Sequence, residues 1–382
     1  MAEPGTRSKR NLLEVVDWTE DDEIRCARWH SDSGFPRPKR VVVADDRITA
    51  DVAYRLACQD TAMVWRGDFQ NARQLLTAMA RRVDRRRHKT ATSPAEAFRL
   101  YRRSQAQRAR TLGMVVVPFE AGLIIPLRRA PDVRQACAEA HCPADQPFLV
   151  SLRQLLSIVS AHEWRKKGVE IPALGARIHP HYGVFSPVRG EYVELVAEAP
   201  LPSRMSAYDI GTGTGVLAAV LAGRGVEHVI ATDQDDHALA CARENITRLG
   251  LDDRVDVVQA NLFPAGRAPL VVCNPPWVPA RPSSPLEHAI YDPGSRMLRA
   301  FLTRLPDHLE PGGEGWLVLS DIAEHLGLRS REELLAAFDQ CGLDVAGRVD
   351  VKPRHPRVFD RTDPLHAARA AEVTSLWRLT AR

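Results

Sequence analysis

The stretch from Ala207 to Trp277 limits what this chain can fold into more than any other. A short apolar run enters a glycine turn, Tyr208-Asp209-Ile210-Gly211-Thr212-Gly213-Thr214-Gly215, and passes without a break into a helical pattern over Val216 to Ala222. A second apolar run, Val229 to Thr232, ends at Asp233, and a third, Leu270 to Cys273, ends in Asn274-Pro275-Pro276-Trp277. Strands alternating with helices in this way predict a parallel open sheet covered by helices. In such sheets ligands bind beyond the carboxyl ends of the strands, which is where the glycine turn, Asp233 and the Asn-Pro-Pro-Trp segment all fall.

The turn is spaced G-x-G-x-G, and Val216 stands where a dinucleotide fingerprint needs its third glycine, so a nicotinamide or flavin reading fits poorly. Glycine turn and Asn-Pro-Pro-Trp together make the chain, from Tyr182 to its C-terminus, resemble the class I S-adenosylmethionine-dependent methyltransferases. The subset is the one with an (Asn/Asp)-Pro-Pro-aromatic motif, which includes the HemK-like and adenine-N6-type enzymes. The resemblance implies a Rossmann-like sheet of seven strands, the last antiparallel, with S-adenosylmethionine as cofactor. It also implies a cofactor set of Asp209, Gly211, Thr212, Gly213, Gly215, Asp233, Gln234, Asn261 and Leu262. Asp233, at the end of the second strand, is expected against the ribose hydroxyls. Asn261 stands where the family usually carries an acid; its amide can still accept from an adenine amino group and donate to a ring nitrogen.

The tetrapeptide suits methyl transfer to nitrogen. An amide or aromatic amine nitrogen is planar and a poor nucleophile because its lone pair is delocalised. The Asn274 side-chain oxygen and the Pro275 carbonyl can accept from both N–H groups and turn the lone pair towards an electrophile. Pro275 and Pro276 fix φ and so set the carbonyl direction in advance. Trp277 offers a flat face on which a base or amide can stack. Asn274, Pro275, Pro276 and Trp277 are therefore the candidate catalytic residues, and no metal is required.

The net charge of +4 is unevenly spread. Eleven Lys and Arg against Asp84 and Glu96 give Arg81 to Arg110 a local charge of +9, and the rest of the chain is net negative. Such a run is either the footprint of a polyanion or a solvated helix face. No apolar run approaches the roughly 20 residues that span a bilayer, and the first ten residues contain no apolar stretch, so a cytoplasmic protein without membrane partners is expected. Seven scattered cysteines without a C-x-x-C point to neither disulfides nor zinc. His179 and His181 have no third ligand nearby, so no metal is assigned. Oligomeric state is not legible.

Two domains are expected, 1–178 and 179–382: a smaller α/β N-terminal domain that positions substrate, then the catalytic domain. Residues 1–40 read as a loose arm or short helices. Val41–Ala44, Thr49–Cys58 and Ala62–Trp65 read as a βαβ unit, and Ser93-Pro94-Ala95-Glu96 as a capping box opening a helix to Leu112. Met114–Pro118 and Leu123–Pro126 read as a hairpin. Later strands are expected at Arg254–Val258, Gly315–Ser320, Leu343–Val351 and Val373–Leu379.

Substrate contacts are expected from Arg189 in the lead-in to the catalytic domain, from Arg281 and Glu287 in the loop after Trp277, from Arg354 in the basic loop 352–357, and from Arg85, Arg86, Arg87, Arg102 and Arg103. The reading is an N-methyltransferase acting on a macromolecule. Nucleic acid, as RNA or DNA adenine, is placed ahead of a protein glutamine. A small-molecule enzyme and a non-catalytic cofactor-binding module are the remaining alternatives.

Overall fold

The computed structural model describes residues 14–85, 91–284, 286–354 and 356–382. The chain divides into two compact units, one of residues 1–87 and 104–160, the other of 88–103 and 161–382. Residues 161–178 thus group with the later part of the chain rather than with the N-terminal part. The reason is burial: Val169, Ile171 and Ile178 lie in the same apolar cluster as the glycine-turn helix.

The first unit holds a six-stranded sheet built from β1 (Val15–Glu20), β2 (Glu23–His30), β3 (Arg40–Ala44), β4 (Thr61–Trp65), β5 (Val115–Phe119) and β6 (Phe148–Ser151), in the order β1-β2-β6-β5-β4-β3. The βαβ unit is present: β3 and β4 are parallel, and Thr49 caps the helix Ala50–Cys58 by accepting from Val52 N. Two expectations fail here. Residues 15–30 are an antiparallel hairpin, closed at Asp21 and Asp22, both at positive φ, which is the backbone of a two-residue turn without its usual Asn-Gly signature. Residues 123–126 form no strand. They make one bridge, Glu120 to Ile124, and the antiparallel neighbour of β5 is β6, some thirty residues on.

The second unit opens with a short antiparallel ribbon, β7 (Val169–Ile171) and β8 (Ala176–Ile178). Its main sheet contains β9 (Ser206–Ile210), β10 (His228–Asp233), β11 (Val255–Gln259), β12 (Ala268–Cys273), β13 (Leu309–Ser320), β14 (Leu343–Val351) and β15 (Thr374–Ala381), in the order β11-β10-β9-β12-β13-β15-β14. β15 runs antiparallel to both neighbours, and the central pairs are parallel, as expected of a seven-stranded Rossmann-like sheet. The helix Val216–Gly223 is apolar all round, and Val216 to Ala222 are all buried, so it lies within the core on one sheet face. The opposite face is covered by Arg296–His308 and Arg331–Gln340, through Leu298, Phe301, Leu302, Leu334 and Phe338.

The helix Arg296–His308 is absent from the sequence reading, and the side chain of its N-cap residue makes no capping bond. Ser295 sits there in the left-handed region, and the carboxylate of Asp292 accepts from Met297 N at 2.7 Å.

Candidate active site

The chain leaves β9 on one side for β10 and returns on the other side as β12, so the order reverses between β9 and β12 and opens a crevice at their carboxyl ends. Register fixes what lines it. Ile210 lies opposite Thr232 on one side and Cys273 on the other, so the next residues of the three strands, Gly211, Asp233 and Asn274, stand side by side.

Asp209 organises the turn from beneath. Its Oδ2 accepts from Thr212 Oγ1 at 2.6 Å and from Ala218 N at 3.1 Å, while the residue is 1 % exposed. Burial pushes its pKa up to about 6 against those two bonds. Thr212 is likewise buried and turned inward to Asp209. The two therefore shape the turn, and the ligand-facing part is the backbone around Gly213. Gly213 has φ +56°, and a Cβ there would meet nothing within 4 Å, so the turn presents bare backbone to open space.

Asp233 accepts from Gly213 N at 3.1 Å through Oδ2 and from Asp235 N at 3.0 Å through Oδ1. Each oxygen keeps acceptor capacity for a hydroxyl. Burial raises the pKa of this carboxyl as well, with backbone donors opposing the shift. Gln234 is exposed. Asn261 is exposed too, and its carbonyl accepts from Arg304 Nη1 at 2.9 Å. Leu262 has φ +70°, a strained conformation for a branched residue, and is held there by Thr232 Oγ1 donating to its carbonyl at 2.6 Å.

In the tetrapeptide, Trp277 Nε1 donates to Asn274 Oδ1 at 2.8 Å. Pro275 is buried, and the Trp277 ring packs against apolar clusters on both faces of the sheet. The loop that follows folds back on itself: Val278 bridges Tyr291, and Asp292 N donates to Val278 O.

The expected substrate contacts are dispersed. Arg102 grips Glu287 with both ends of its fork, at 2.9 Å each, donates to Arg281 O and lies 4.1 Å above the Tyr291 ring. Arg354 N donates to the buried Glu191, and its guanidinium lies 3.5 Å from Glu194. Arg189 acts electrostatically on Glu372, whose Oε1 accepts from Ser320 Oγ. Arg85 and Arg103 are exposed and fall in different units; Arg86 and Arg87 lie outside the described residues. Much of the basic run is already paired: Arg82 with Asp51, Arg108 with Asp84, Arg110 with Asp60 and Arg102 with Glu287. His181 Nε2 bonds Glu244 and His179 Nδ1 the Arg165 carbonyl. The described residues contain no group of three or more metal-ligating side chains. Nor do they contain a helix long and apolar enough to cross a membrane.

Residues 175–345 match the family model described as the methyltransferase small domain. Those residues, just under half of the chain, carry a methyltransferase domain. Among curated proteins it is similar to the release factor glutamine methyltransferase of Cereibacter sphaeroides, at 35% identity over 33% of this chain and 50% of that one. The ribosomal protein L11 methyltransferase of Sorangium cellulosum is 34% identical over 34% of each chain. The ribosomal protein uL3 glutamine methyltransferase of Bordetella pertussis is 37% identical over 27% of this chain and 38% of its own. This chain thus spans half or less of the length of these relatives. The cofactor of the domain is S-adenosylmethionine, and the site fits it: open space at Gly213, spare acceptors on Asp233, and a helix N-terminus behind both.

Proposed function

We propose that this protein is an S-adenosylmethionine-dependent N-methyltransferase whose target is a side-chain amide nitrogen of glutamine in a protein. The observation that carries the reading is the register of β9 and β12, which sets Asn274 beside Gly211, so that nitrogen-holding acceptors adjoin the cofactor turn. The relatives named for glutamine and ribosomal-protein methylation support a protein over a nucleic acid as substrate. The internal pairing of Arg82, Arg102, Arg108 and Arg110 points the same way, since paired guanidiniums are poor phosphate ligands. A cytoplasmic location goes with a release-factor or ribosomal type of substrate.

When bound, S-adenosylmethionine supplies an electrophilic methyl group. The chain's own residues do the rest. Gly213 and Asp233 would hold the cofactor, Asn274 Oδ1 and the Pro275 carbonyl would accept from the two amide N–H groups, and the Pro-Pro backbone would keep both acceptors aimed. No general base is required for attack, because the amide nitrogen needs orientation and sheds its proton to solvent once alkylated. Incubation with S-adenosylmethionine labelled in the methyl group, in extract of cells lacking this protein, tests the reading. Label sensitive to protease is expected. Label sensitive to nuclease alone would return nucleic acid as the substrate.

A further inference from the structure

The helix Asp236–Arg248 lies against the glycine turn along one face, on which Ala242 and Asn245 are fully buried. A Cβ on Gly215 would come within 3.3 Å of Ala242, so the two backbones nearly touch. Into this tight seam the chain places an amide. Asn245 Oδ1 accepts from His179 N at 2.7 Å, and Nδ2 donates to Thr214 O at 3.0 Å and to His179 O at 3.3 Å. Both N–H groups and the oxygen are used, and an aliphatic residue would fill the same helical position without the desolvation cost of a buried amide.

The bonds have a particular reach. Thr214 lies between Gly213 and Gly215, and its carbonyl belongs to the peptide whose N–H, on Gly215, donates to Thr212 O at 2.9 Å. With Gly213 N held by Asp233 and Gly215 N by Thr212 O, the carbonyl end of the Thr214 peptide is held by Asn245. The same amide mimics a strand partner for the backbone of His179, where the lead-in towards Arg189 begins.

We propose that Asn245 is a positioning residue for cofactor binding: its buried amide ties the Thr214 carbonyl and the His179 backbone into one set and keeps the glycine turn in binding shape before the ligand arrives. The proposal rests on the reading of this turn as the S-adenosylmethionine cradle. The neighbouring Glu244 supplies an internal control. It binds His181 at 2.7 Å, Arg248 at 2.7 Å and also Arg165, so it joins the same helix to the same lead-in, yet it makes no bond to the turn.

The test compares N245A, N245D, N245S and E244Q with wild type, by calorimetry with S-adenosylmethionine and by thermal unfolding. At a temperature where every variant is folded, N245A is expected to bind about tenfold more weakly or worse, since the turn must then be ordered by the ligand itself. N245D should be weaker still, because acceptor oxygens would face the Thr214 and His179 carbonyls. N245S keeps a donor and should fall between N245A and wild type. E244Q should lose thermal stability and bind within twofold of wild type. Binding within twofold by N245A and N245D overturns the proposal, as does an E244Q whose affinity falls in step with its stability. If N245A and N245D do not fold, N245S decides, and wild-type affinity there overturns the proposal. A wild type that binds no S-adenosylmethionine overturns the cradle reading and the proposal with it, whereas intact wild-type binding with unaltered variants overturns the proposal alone.

Discussion

The indole Nε1 of Trp277 donates to Oδ1 of Asn274 at 2.8 Å, so the last residue of the tetrapeptide holds the first in place. The bond occupies one lone pair of Oδ1, leaves the other for a substrate N–H and fixes the amide plane. Trp277 packs into the apolar core beside it, so its role extends beyond offering a stacking face. Trp277→Phe keeps most of the ring and removes the donor. Turnover should fall by about tenfold or more through loss of orientation, with S-adenosylmethionine affinity within a few fold. Asn274→Ala should abolish turnover with affinity equally preserved. Single-turnover methyl transfer measured beside calorimetry separates the two quantities, and a Trp277→Phe enzyme as fast as wild type would refute the orienting role.

Asp233 is the residue proposed to accept from the cofactor ribose. Asp233→Ala removes the hydroxyl acceptor and also frees Gly213 N, so affinity for S-adenosylmethionine should drop at least about tenfold, in line with the roughly 1.5–3 kcal/mol of a charge-assisted hydrogen bond. Unchanged affinity by calorimetry in the folded variant would remove Asp233 from the cradle.

Asp209 makes stability depend on pH in an uncommon direction. Its folded pKa of about 6 lies above the ordinary carboxylate value, so between roughly pH 4 and 6 the folded state binds more protons than the unfolded one. Stability contributed at this position is therefore present at the acid end and falls as pH rises, by about 3 kcal/mol across the window. Asp209→Asn has no charge to bury. Unfolding free energies of wild type and variant, followed from pH 4 to 7, should converge or cross in the variant's favour as pH increases. A difference that stays constant over that range would mean that the turn's own donors cancel the cost of burial.

Arg102 and Glu287 form a two-pronged pair with Tyr291 beneath it. Because both side chains are largely shielded, a double-mutant cycle with Arg102→Ala and Glu287→Ala should return a coupling of about 1 kcal/mol. Turnover should fall in either single variant, since the loop after Trp277 loses its anchor, while S-adenosylmethionine affinity should change little. Zero coupling in the unfolding cycle would reduce the pair to a surface contact.

How much was legible in the sequence follows from how local each signal is. The glycine turn, the strand ends at Asp233 and Cys273, and the Asn-Pro-Pro-Trp motif are contiguous segments, and the resemblance they carry implies the seven-stranded sheet, so the crevice is legible from the sequence. The hairpin at 15–30 turns on Asp21-Asp22, a pair that does not announce positive φ, so the sequence there resembles a loose arm. β5 pairs with β6 across a long separation, which no local pattern encodes. Asn245 did leave a trace. It stands three residues after Ala242, on the apolar face marked by Leu239, Ala242, Ile246 and Leu249, where a polar residue is out of pattern. Charge pairing was the least legible. The run from Arg81 to Arg110 reads as free cations because Asp51, Asp60 and Glu287, which neutralise three of them, lie far away in sequence.

That pairing bears directly on the substrate. Each phosphate contact contributes about 0.9 to the slope of log affinity against log salt for duplex DNA and about 0.7 for single strands. With Arg82, Arg102, Arg108 and Arg110 engaged by carboxylates, the protein-substrate reading expects weak binding of RNA and DNA and a shallow slope in filter-binding assays between low and moderate salt. Replacing Arg85, Arg86 and Arg87 together by alanine should then change little, and S-adenosylmethionine affinity should not move. A steep wild-type slope that the triple substitution flattens by roughly two units would mean that two or three of these arginines meet phosphates. In that event the glutamine reading gives way to a nucleic-acid substrate, and label from the extract assay should be lost to nuclease.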